Sequence, residues 1–231
     1  MEQIFNKISE SLFTEIQNGE NLILSFSGEN SQFIRFNKAA VRQTGLVDDA
    51  DLDLKFIANN RTVRGGFTVS GNFDVDIARG KSEIKRMRLE AQEIPEDPFV
   101  VLPENSGSSH EIKSANGLQF EHAVDAILPA MDGMDFVGIW ANGKMFRGNA
   151  NNLGQKHWFE TESFSLDYSL VTPEHQMVKG SFAGSDWNQN DYESYVKRSR
   201  NKLTLMEKKP IKIEKGNYRT WFESAAVSDF L

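Results

Sequence analysis

Glu160 and Glu162 sit two residues apart in a run of alternating character, so their carboxylates share one face of a strand, as a general acid and base might. The same spacing describes a wetted strand edge. Asp49, Asp51 and Asp53 alternate as in a calcium loop, but Leu54 stands where that loop needs glycine and Asn60 where it needs a bidentate glutamate. They read as a solvated loop and the start of a strand. Gly138 to Lys144 nearly spells a phosphate-binding loop, yet Met145 replaces the magnesium-ligating hydroxyl and a strand pattern follows. Ala141-Asn142-Gly143 is therefore expected to be a hairpin turn. His110-Glu111 could open a zinc-hydrolase helix, but Ser114 and Ala115 occupy the places of the second histidine. His122, His157 and His175 have no spaced partners. Lys197, Arg198, Arg200, Lys202, Lys208 and Lys209 form a basic cluster beside Tyr192 and Tyr195, which lie on the apolar stripe of the same helix. Asn60-Arg61-Thr62 fits a glycosylation sequon.

No catalytic, metal-binding or cofactor-binding residue follows from these patterns. The absence of cysteine excludes disulfides, thiolate nucleophiles and cysteine-ligated metals. The 26 basic against 33 acidic residues give a net charge of −7, which argues against a generic nucleic-acid binder. With 39% hydrophobic and 26% charged residues among 231, the chain has the composition of a globular protein. No stretch reads as a signal peptide or a membrane span, so a cytoplasmic location is expected.

The elements that must position any site are α+β: antiparallel sheets with flanking amphipathic helices, in two sub-lobes. Ile4, Ile8, Leu12 and Ile16 stripe an opening helix. Runs at 22–26, 32–36, 40–44, 52–57 and 62–69, separated by turn signals at Gly28, Val47 and Asn59-Asn60, predict a meander. A helix over 72–94 and a short strand, Phe99 to Leu102, close a first lobe, 1–102. A linker at 103–115 leads to a second lobe, 116–209. That lobe holds a short helix around Val124 to Met131, a strand over 158–171, a strand over 177–183 pairing with it, and a basic amphipathic helix ending near Lys208. Residues 211–222 are expected to be two strands about a Gly-Asn turn, and 224–231 a short helix. The apolar end lacks a stop signal, so residues 210–231 are expected to begin a further, truncated domain.

Arg35 to Gln43, Arg64 to Val69, Arg147 to Gly154, His157 to Ser165 and Gly216 to Arg219, in this order, resemble segments of the amino-terminal region of the TldD/PmbA family, the modulators of DNA gyrase. The resemblance implies a zinc peptidase or its non-catalytic partner, whose His-Glu-x-x-x-His helix lies in a carboxy-terminal domain. Nothing in this chain matches that motif, so the implied zinc has no ligands here and the chain is expected to be inactive alone. The resemblance further implies a homo- or heterodimer with a TldD/PmbA-type subunit and an extended peptide as substrate, held against a sheet edge. A stand-alone peptide-binding module and a nucleic-acid modulator acting through the basic helix are the alternatives.

Overall fold

The computed structural model describes residues 1–231, the side chain at position 225 excepted. Four long strands dominate it: β1 (Glu20–Asn37), β2 (Ala40–Ala58), β5 (Asp135–Asn151) and β6 (Lys156–Val171). With β3 (Arg61–Thr68), β4 (Ser108–Lys113) and β7 (Met177–Gly184) they form one seven-stranded sheet in the order β3-β2-β1-β5-β6-β4, with β7 also on β6. All pairings are antiparallel except that of β4 with β6. The α+β class is met, but the strands make a single sheet rather than separate ones.

Alternation decides what the sheet buries. Leu22, Leu24, Phe26, Ile34 and Phe36 all occupy even positions of β1, so they share one face. At one end of that face, α1 (Glu2–Phe13) and α2 (Phe73–Glu93) cover Leu22, Leu24, Phe26, Leu54, Phe56 and Trp158. At the other end, α3 (Phe120–Ile127), the 3₁₀ turn Leu128–Met131 and α4 (Gln189–Met206) cover Ile34, Phe36, Phe136, Trp140, Leu166 and Tyr168. Two cores thus rest on shared strands. Gly80 brings the first pair of helices together, since a Cβ there would stand 2.7 Å from the methyls of Leu12. Asn72 caps α2 by accepting from the N–H groups of Asp74 and Val75.

Between the cores the same face is a polar waist, and here the sequence-based turns fail. The Gly28 and Val47 regions form no turns: Glu29 pairs with Asp49 in mid-ladder. Gly143 is likewise mid-strand, paired with Ser31 and with Ser163. Its missing side chain serves close packing, because a Cβ would lie 2.4 Å from the Asn30 carbonyl oxygen and the Ser31 Cα. No helix covers this stretch, so nothing demands apolar residues, and glycine with short polar residues imitates loops. The real reversals are Lys38-Ala39 and Asn59-Asn60, all four residues at positive φ, as a two-residue hairpin requires. The Ala39 N–H is fixed by the Phe136 carbonyl at 3.0 Å.

Residues 95–107 cross to the far edge without forming the expected strand at Phe99 to Leu102. Phe99 is 86% exposed, and its N–H donates to the Asp97 side chain at 2.9 Å rather than to a neighbouring strand. The interval 103–115 contains β4, so the chain there is part of the sheet. Residues 210–222 form no strands. An isolated hairpin is marginal, and this one would have no third strand to lean on. The short helix α5 (Ser224–Ser228) does form.

Candidate functional site: a free sheet edge and an open face

An extended ligand can use a sheet only where backbone groups are unspent. The outer edge of β3 is occupied by α2: Arg86 donates to the Arg64 carbonyl at 3.3 Å and Arg79 to the Thr68 carbonyl at 3.2 Å. The outer edge of β7 is met by α4, where the Ser181 N–H donates to the Tyr195 hydroxyl at 3.1 Å. β4 differs. All six of its residues are exposed, and among the described residues its backbone bonds only to β6. Its side chains secure it from both faces of the sheet: the Ser109 hydroxyl meets His157 Nδ1 at 2.8 Å, while His110 Nε2 reaches Glu2 of α1 at 3.2 Å.

The carboxylates of Glu160 and Glu162 do not form an acid/base pair. Lys144 stands directly opposite Glu162 and donates to Glu160 at 2.8 Å, at the polar waist. Hydrogen bonding and charge from Glu160 raise the Lys144 pKa above its ordinary value. Asp49, Asp51 and Asp53 alternate along β2 on its exposed face, with Asp51 accepting from the Thr68 hydroxyl at 2.8 Å. His110 and His157 point to opposite faces of the sheet, and among the described residues no group of three His, Cys, Asp or Glu is placed to hold a metal. The residues present therefore do not fit the zinc that the family resemblance implies.

Three of the six basic residues of the cluster are engaged within the fold: Arg198, Arg200 and Lys202. Arg200 donates to the Ala130 and Asp132 carbonyls at 2.9 and 2.6 Å, closing the end of the 3₁₀ turn. Lys202 pairs with Glu223 at 2.9 Å, and Arg198 lies over the Tyr195 ring. Tyr192 is buried and donates to the Ile127 carbonyl at 2.8 Å. Burial raises the Tyr168 pKa to about 12, partly opposed by its 2.8 Å hydrogen bond with Ser199, so this hydroxyl stays protonated and structural.

The sheet's other face, opposite both cores, is open and carries a shallow cavity of about 400 Å³. Its wall is cationic: Arg35 on β1, Arg42 on β2 and Lys179 on β7. Val137 and Ile139 of β5 and Asp167 and Ser169 of β6 lie between them. The ladder slips by one residue where Arg35 pairs with Gln43 but Phe36 pairs with Val41, leaving Arg42 as the extra residue. Such a bulge re-aims a side chain, here placing a second guanidinium beside Arg35. Sequence reasoning missed this group. Arg35 and Arg42 fall within a segment carrying the family resemblance, but only the bulge and the pairing with distant β5, β6 and β7 bring them near Lys179.

No family model matches the sequence, and no curated protein matches it. Solved structures do match in fold. TldE from Thermococcus kodakarensis aligns with a TM-score of 0.63 at 14% identity, over 87% of this chain and 47% of its own. Proteins described as modulators of DNA gyrase align from Thermotoga maritima (TM-score 0.64, 14% identity, 90% of this chain and 50% of that one) and Bacteroides thetaiotaomicron (0.60, 12%, 88% and 49%). The chain spans about half the length of these structural relatives. The resemblance to the TldD/PmbA family is thus borne out at the level of the fold.

Proposed function

We propose that this chain is the non-catalytic, peptide-holding part of a TldD/PmbA-type metallopeptidase, and that an extended stretch of substrate adds as a strand along β4. The contrast among the edges carries the reading: β3 and β7 have backbone groups met by helix side chains, whereas β4 is exposed throughout. Of the two edges open among the described residues, the other being residues 40–49 of β2, β4 is the one held by side chains on both faces of the sheet. Strand addition draws affinity from main-chain hydrogen bonds, so it tolerates many substrate sequences but requires them to be extended. Hydrolysis itself would fall to zinc ligands and a base outside this chain. Pairing with a second TldD/PmbA-type subunit belongs to the same reading, and is supported by exposed apolar side chains such as Val101, Ile211 and Trp221.

Amide hydrogen exchange on the 231-residue chain tests the edge. An unstructured casein-derived peptide at about ten times its Kd should slow exchange in residues 108–113 by about tenfold. Protection at 40–49, 61–68 or 177–184 instead, or at none of these strands, would contradict the assignment.

A further inference from the structure

The cationic cavity on the open face is a separate feature. It lies past the end of β4, about 20 Å along β6 from the last β4 pair if Asp167 is taken as its centre. Arg42, Lys179 and Asp167 have no side-chain hydrogen bond or ion pair among the described residues. Arg35 makes only a 3.4 Å contact with Gln43 and lies over the Phe33 ring. Two of the three cations are thus uncommitted, in a chain whose net charge is −7.

We propose that this cavity binds an extended peptide segment of the pattern acid-x-apolar-x-acid, lying across the strands. The spacing supports it. Arg35 and Lys179 are on strands separated by β5 and β6, three inter-strand steps or about 14 Å, and are offset by two residues or about 7 Å along them, so they stand about 16 Å apart. In an extended peptide, side chains four residues apart on one face are about 14 Å apart, within reach of two such long side chains about 16 Å apart. The intervening side chain two residues on would fall over Val137 and Ile139, which are 40% and 36% exposed and form the apolar floor. One acid would meet Arg35 and Arg42, the other Lys179. Asp167, beside the floor, disfavours a continuous polyanion and offers an acceptor for a peptide N–H. Asp49, Asp51 and Asp53 on the same face of β2 add to the repulsion of nucleic acid.

The test is fluorescence anisotropy with the full 231-residue chain and a labelled peptide containing Glu-Ser-Leu-Ser-Glu. Replacing both glutamates by glutamine, or moving one glutamate to the adjacent position, should weaken binding at least about fivefold. Arg42→Gln with Lys179→Gln should do the same, with no change in melting temperature because both side chains are exposed. Lys179→Glu should lose the parent peptide and recover affinity for a peptide with lysine in place of one terminal glutamate. Equal affinity for the glutamate and glutamine peptides would overturn the proposal without reference to any variant. Tighter binding of a short single-stranded RNA than of the acidic peptide, or failure of the charge swap, would also overturn it. Loss of the exchange protection at 108–113 has no bearing on this outcome, so failure of the β4 reading remains distinguishable.

Discussion

Glu20 shows how one side chain can tie the opening of β1 to a helix. Its carboxylate takes two hydrogen bonds from Arg88 of α2, at 2.6 and 2.8 Å, and one from the Gln17 N–H. Burial opposes ionisation, but the Arg88 hydrogen bond, the Gln17 N–H and the Arg88 charge outweigh it and leave the pKa below its ordinary 4.5. A carboxylate whose pKa is lowered by folding stabilises the native state above its unfolded pKa, and the gain is lost as pH falls through the folded value. Glu20→Gln should therefore cost about 1–3 kcal/mol at neutral pH, with a smaller penalty in acid well below the ordinary carboxylate range. Urea unfolding of both proteins across that range measures it. A penalty independent of pH would refute the account of the pair.

At the level of elements, the long strands depend on residues that look like turns. Gly143→Ala forces a Cβ against backbone atoms of β1, which cannot rotate away as a side chain could. It should destabilise the protein by about 3 kcal/mol or more, measured by chemical denaturation. In a type I′ hairpin turn at Asn142-Gly143 the same change would cost about 1–2 kcal/mol, from the positive φ alone. The two cores were legible in the sequence: the stripe Ile4 to Ile16, the periodicity of 72–94 and the alternation Phe164, Leu166, Tyr168, Leu170 place their residues on the correct faces. The waist was not. Asp48 and Asp49 are polar because no helix covers them, Gly143 is small because β1 lies too close for a Cβ, and Gly28 is buried against Phe26 and Ala50, so local pattern does not separate this stretch of strand from a loop. The edge site was hidden for a related reason, since Ser108 to Lys113 is wholly exposed and shows no burial alternation. Of the open-face cavity, the residues were visible but not their meeting, which depends on a bulge and on strands more than a hundred residues apart in the chain.

As a whole molecule, the chain is one sheet with two helix-covered cores, one open face and, among the described residues, open edge stretches at β4 and at residues 40–49 of β2. That arrangement suits a part that presents surfaces. The polar groups at the heart of the fold are structural: Asp76, fully buried, accepts from the backbone and hydroxyl of Ser70 and from the Gly71 N–H, and Tyr168 and Tyr192 stay protonated. The central claim is that this chain holds extended peptide without cutting it. Incubating it with zinc and unfolded casein, with and without a chelator, and following the casein by mass spectrometry tests that claim most directly. The account predicts intact casein under both conditions, recovered in reversible complex with the chain. Cleavage that appears with zinc and stops with the chelator would contradict it.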